Sequence, residues 1–238
     1  MKRRLLSTHT IIKSIKGAAN SYKTNLVGRT FLYVFDNRFI EVICKSKNFK
    51  HLTGVESSLS SKDFYSNALK GRLTEYDISF SDKHPYSLCE KKILHISELA
   101  ELALGECFLL ETVTTNTFTY AFGTSDLDFT LLFDSDKDEI GNLISEKYVV
   151  RSIRDEDCFD RSKNVFSVTH IFSKKNDEKI YNNVIYLDEK HKNEVPDEVL
   201  GMVSDKIKQS LEIKDKWYLL CSKRIKLIKR TYWFLRKL

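Results

Sequence analysis

The chain has 238 residues, 42% of them hydrophobic and 30% charged, with two prolines and eight glycines. That balance excludes a disordered or collagen-like polymer and is ample for a sizeable core in one large domain, or one domain with an appendage. Lys and Arg outnumber Asp and Glu, leaving a net charge of +6 and a pI near 8.9, a lean toward polyanionic partners.

Taken in order, MKRRLL begins like a signal peptide, but Ser7, Thr8, Lys13 and Lys16 follow and no apolar h-region forms. Thr8 to Leu26 reads as a helix, with Ile11, Ile12, Ile15, Ala18, Ala19 and Tyr22 on one face and Gly28 ending it. Phe31 to Phe35 and Phe39 to Ile43 read as the arms of a hairpin turned by Asp36-Asn37. The stretch Asn48 to Leu69 then joins a polar turn holding His51, Thr53 and Gly54 to a helix that Ser60 or Ser61 can cap, with Asp63 in its first turn. Phe64, Ala68 and Leu69 share a face of that helix. A histidine and a hydroxyl beside a helix N-terminus suit an anion or phosphate, and equally a histidine can do no more than satisfy a turn.

Further along, Ile93 to Leu104 is expected to be helical and Gly105 to stop it. Cys107 to Val113, Phe118 to Phe122 and Leu127 to Phe133 follow as strands of an antiparallel meander. Asp134 to Glu139 lacks the Gly and closing Glu of a calcium loop and reads as a solvated turn. Tyr148 to Ile153 and Val165 to Phe172 extend the sheet, and Val184 to Leu187 adds an edge. Within one strand Ser152 and Arg154 share a face, whereas Thr169 and His170 oppose each other, so at most one of the latter joins a site. From Pro196 the chain turns helical, with Val199, Val203, Ile207 and Leu211 on one face.

The last stretch, Ser222 to Leu238, is a basic amphipathic helix carrying Lys223, Arg224 and five further cations with Trp233 and Phe234. It can dock on the core, bind nucleic-acid phosphates, or touch a membrane surface. Five scattered cysteines form no zinc or disulfide pattern and read as buried thiols in a reducing cytoplasm. No segment is long enough to span a bilayer.

Three blocks carry a resemblance: Asn48-Phe49-Lys50-His51-Leu52-Thr53-Gly54-Val55, Leu59-Ser60-Ser61-Lys62-Asp63-Phe64-Tyr65, and Gly71-Arg72-Leu73-Thr74. They resemble the signature of a phage- and mobile-element-associated nuclease family of the barnase, EndoU, colicin and RelE-like superfamily, and weaker similarity runs from about Ser21 to about Tyr186. Such relatives carry a proline turn in the second half, whereas Tyr148 to Arg154 here has no proline.

The elements and the resemblance together lead us to expect an α+β fold of N-terminal helices on a mostly antiparallel sheet over residues 1–195, and the pattern from Pro196 adds a helical C-terminal extension over 196–238. The resemblance also implies a metal-independent ribonuclease without a cofactor, cytoplasmic, serving as a toxin or phage effector. The RNA 2′-hydroxyl attacks its neighbouring phosphate, so the protein needs an acid, a base and groups that stabilise the phosphorane. His51 is the expected acid or base and Thr53 the donor to a phosphate oxygen, with Arg151 and Ser152 completing the catalytic set. Lys62, Arg154, Lys223 and Arg224 are expected to hold substrate. A catalytically silent relative that sequesters a host, antitoxin or defence protein is the competing reading, supported by the missing proline and by His9, His84, His95 and His191 having no patterned neighbours.

Overall fold

The computed structural model describes residues 6–211. Ser7 caps helix α1 (Thr8–Asn25) by accepting from the Thr10 N–H, and the six apolar positions expected on one face are all buried. Strands β1 (Arg29–Phe35) and β2 (Arg38–Ile43) form the expected hairpin. Asp36 and Asn37 both have positive φ, the geometry a two-residue type I′ turn demands.

After β2 the chain leaves the sheet for a short helix, α2 (Phe49–Thr53), and then α3 (Ser61–Leu69), whose Ser60 cap accepts from the Asp63 N–H as expected. The single helix expected over Ile93 to Leu104 is instead two, α4 (Tyr86–His95) and α5 (Leu99–Leu104). Pro85, at the N-cap of α4, starts it a full two turns earlier than the apolar pattern suggested.

The remaining strands are β3 (Phe108–Thr114), β4 (Thr119–Ser125), β5 (Thr130–Lys137), β6 (Leu143–Arg154), β7 (Ser162–Ser167), β8 (His170–Lys175) and β9 (Asn183–Leu187). They join β1 and β2 in one nine-stranded sheet of order β7-β3-β4-β5-β6-β2-β1-β8-β9. Every pairing is antiparallel except β2 with β6, which run parallel for just Val42↔Tyr148 and Ile43↔Val149. The α+β architecture is as expected.

Val165 to Phe172, read as one strand, is two that lie on different sides of the sheet. In a flat sheet β7 and β8 would stand about 33 Å apart, yet the two residues between them reach only about 11 Å. The sheet therefore rolls. Val168 donates to the Cys107 carbonyl beside β3 and Thr169 donates to Val34 on β1, while Phe35 and Phe166 meet at 5.4 Å and Arg38 pairs with Glu111. Asp134 to Lys137 likewise belong to β5, and Asp136 is buried against Lys45, so the solvated turn begins only at Asp138.

Inside the roll, α1 to α5 cover a large apolar core built on Phe31, Tyr33, Phe49, Phe64, Leu109 and Leu131. Ile43 and Phe122 are half-buried at its margin. The opposite face of β1 and β8 is covered by α6 (Asp197–Met202) and by helical residues 205–211, with Val199, Val203, Ile207 and Leu211 packing on Leu32, Val34 and Phe172. The helix breaks at Val203, whose bridge to Tyr181 keeps the four side chains on one line. The cysteines at 44, 89, 107 and 158 are buried free thiols, whereas Cys221 lies outside the described residues. Among the described residues no helix is long and apolar enough to cross a membrane.

Candidate functional site

The parallel pairing of β2 and β6 ends at Val149, so the second half of β6 has an edge that β2 does not fill. Helix α2 fills it. Asn48, buried, donates from its side chain to the Val150 carbonyl at 2.8 Å, and Phe49 and Leu52 anchor α2 in the core. Gly54, at φ 73, closes α2 in the left-handed region; a Cβ there would stand 3.2 Å from the Cys89 Cα and 3.0 Å from the Lys92 Cδ. The block around His51 is thus a helix with its own C-cap, and the expected polar turn is corrected accordingly.

This local geometry separates the two residues that the sequence paired. His51 is on the exposed side of α2, whereas Thr53 is 0% exposed and its hydroxyl donates to the Lys50 carbonyl at 2.7 Å. Thr53 closes its own helix and has no hydroxyl hydrogen to offer a phosphate. Lys62 is solvent-exposed on α3 and lines neither of the cavities beside His51. Lys223 and Arg224 lie outside the described residues.

Across from α2, β6 carries a bulge. Leu132 pairs with Ser152 but Phe133 pairs with Val150, which leaves Arg151 as the unpaired extra residue. A bulge bends its strand and re-aims the side chain at that position. The strand expected over Tyr148 to Ile153 is present within β6, and the bulge at Arg151 interrupts its pairing at the position where relatives carry a proline turn. Arg154 points its Nη2 toward the Thr115 hydroxyl at 3.5 Å rather than lining the cavity.

Lys92 joins the two sides. It is only 8% exposed, and its ammonium donates to the His51 carbonyl at 2.9 Å and to the Ser152 hydroxyl at 3.3 Å. Burial, then the Arg154 charge, pushes its pKa down to about 8. One signal for it was present in the sequence: Cys89, Lys92, Ile93 and Ile96 form an apolar helical stripe interrupted by one lysine, and a lysine buried in such a stripe is a candidate for function.

A cavity of about 460 Å³ is lined by His51, His84, Lys92, Arg151, Ser152, Asp134, Phe118 and Tyr120. His51 and His84 also line an adjoining cavity of about 420 Å³ with Lys50 and Ser57. His84 sits in the loop before α4, where no local pattern marks it, and its buried Nδ1 has no hydrogen-bond partner among the described residues. The His51 pKa lies below its ordinary value, first through partial desolvation of a ring that still reaches solvent and then through Lys92, Lys50, Arg151 and His84. His51 is thus mainly neutral at neutral pH and free to accept a proton. The cleft brings cations and two imidazoles around one carboxylate, an arrangement suited to an anion.

Of the other four histidines, His9 is exposed on α1 and three have structural partners. His95 stacks on Phe129 and pairs with Asp155, His170 is buried and bonds the Lys192 carbonyl, and His191 pairs with Asp188.

The model of a family described as phage-Barnase-EndoU-ColicinE5/D-RelE like nuclease4 matches residues 14–190. No curated protein matches the chain, and no solved structure does.

Proposed function

The chain belongs to the phage-Barnase-EndoU-ColicinE5/D-RelE like nuclease family, and on that premise we propose that it is a metal-independent endoribonuclease. The observation that carries this reading is the convergence of His51, His84, Lys92 and Arg151 on one cavity. Two imidazoles supply the base and acid that transesterification needs, and the fixed cations offset the charge that develops on the phosphorane. His51, kept neutral, takes the 2′-hydroxyl proton as the 2′-oxygen bonds to phosphorus. His84 gives a proton to the departing 5′-oxygen, leaving a 2′,3′-cyclic phosphate and a 5′-hydroxyl. Lys92 holds α2 to β6 through the His51 carbonyl and Ser152 while adding positive charge. On this reading the protein is a cytoplasmic toxin or phage effector acting on RNA.

The test is incubation of the purified protein with total RNA in EDTA, followed by analysis of the new ends. Cyclic phosphate ends, and resistance of a substrate with a single 2′-deoxy residue at the cut site, are expected. Cleavage that requires a divalent cation overturns the mechanism. No cleavage together with stoichiometric co-purification of another protein favours the catalytically silent binder.

A further inference from the structure

The mechanism leaves Asp134, Phe118 and Tyr120 of the cavity wall unused, and two of the three are aromatic. Phe118 lies just after the turn between β3 and β4 and is 48% exposed, outside the apolar clusters of the described residues. Its ring meets that of Tyr120 edge-on, with centroids 4.8 Å apart. Tyr120 in turn rests its body on the small cluster of Leu110, Val113, Leu132 and Cys158. The turn is held in shape: the Thr115 N–H and hydroxyl both donate to the Phe118 carbonyl, at 2.9 and 2.7 Å, and the Phe118 N–H donates to the Thr115 hydroxyl at 3.1 Å. Thr115 is itself buried and within reach of Arg154 on the strand that carries Arg151. An apolar ring is therefore held at the solvent boundary beside the cationic groups.

We propose that Phe118, braced by Tyr120, is a stacking platform for a nucleobase next to the scissile phosphate, so that the site selects unpaired nucleotides. This rests on the ribonuclease reading and adds its substrate class. A ring half exposed on the wall of a phosphate-binding cleft offers a π-face that any base can cover, whereas bases inside an A-form duplex have their faces occupied by their neighbours. The cations reach the backbone of either form. The platform makes the difference between them.

Binding is measured with a labelled 2′-O-methyl oligonucleotide, which cannot be cleaved, as a single strand and as a duplex, using the full chain. The wild type is expected to prefer the single strand. Phe118→Ala and Phe118→Leu should both lose roughly 5- to 150-fold in single-strand affinity, the value of one stacked base, with little change toward duplex. Phe118→Trp should retain it. Phe118→Leu keeps apolar bulk and removes the π-face, so its loss cannot be ascribed to a collapsed turn. Cleavage of RNA by the wild type with unchanged binding and rates in both Phe118→Ala and Phe118→Leu overturns the platform and leaves the nuclease reading standing. Absence of any RNA binding or cleavage by the wild type removes both.

Discussion

Replacing Lys92 with methionine should separate what the buried ammonium costs the fold from what it contributes to the site. The folded protein releases this proton near pH 8, against an ordinary value of 10.5 in an unfolded chain. Between those values the unfolded state binds more protons, so this one group makes stability rise with pH by about 3 kcal/mol across the window, and below pH 8 the full cost of burying the charge is present. Methionine removes that cost but leaves the His51 carbonyl without its donor, a loss of about 1–3 kcal/mol; Ser152 keeps a contact with the Ile153 carbonyl. At pH 7 the variant should accordingly be as stable as wild type or up to about 2 kcal/mol more stable, and near pH 10.5 less stable by about 1–3 kcal/mol. The buried thiols of Cys44, Cys89 and Cys107, pushed up to about 12, act in the opposite sense above pH 9, so the difference between variant and wild type is the quantity to follow. Urea unfolding followed by circular dichroism at several pH values measures it. Cleavage should meanwhile fall by about 10²-fold, and the His51 pKa should rise, because the Lys92 charge stands second among the causes that lower it. A variant less stable than wild type by the same margin at pH 7 and pH 10.5 would overturn this account of Lys92.

Three further outcomes are expected. His51→Ala should cut cleavage by about 10²–10⁴-fold with stability changed by no more than about 0.5 kcal/mol, since the side chain is exposed and only its carbonyl holds Lys92; normal cleavage removes His51 from the mechanism. Gly54→Ala should cost about 2 kcal/mol, combining the left-handed φ with crowding against the Cys89 backbone, and should lower cleavage by displacing Lys92; a melting temperature equal to wild type counts against the role given to Gly54. Deleting residues 222–238 should flatten the dependence of RNA affinity on salt by about 0.7 in log–log slope for each phosphate that the tail neutralises, and an unchanged slope excludes the tail as a nucleic-acid arm.

Much of the fold was legible because its signals are local. The buried face of α1, the Asp36-Asn37 turn, the Ser60 cap and the four apolar positions from Val199 to Leu211 follow from periodicity and turn chemistry alone. The break between β7 and β8 was not legible, because an unbroken run such as Val165 to Phe172 carries β preference whichever side of the sheet each half joins. Helix α2 spans five residues, too few for a helical period to register. For the site, His51, Arg151 and Ser152 could be named from motif and position, and the structure brings these three together. Thr53, Lys62 and Arg154 could not be sorted from them, since burial and direction are set by neighbours distant in sequence. His84 and the aromatic pair arrive through loops and a hairpin that only the rolled sheet brings beside α2.

The roll also bears on how such a chain is made. The hairpin that ends near His51 leaves the ribosome early, but its partners β6 and β8 lie more than a hundred residues downstream. At translation rates of about 5–20 residues per second, roughly 7–30 s pass before β1 can accept β8. For the earlier part of that interval, until β6 is made, Arg151 and Ser152 are absent from the site. On the ribonuclease reading proposed above, the nascent chain is then inert beside its own messenger until β6 joins the sheet.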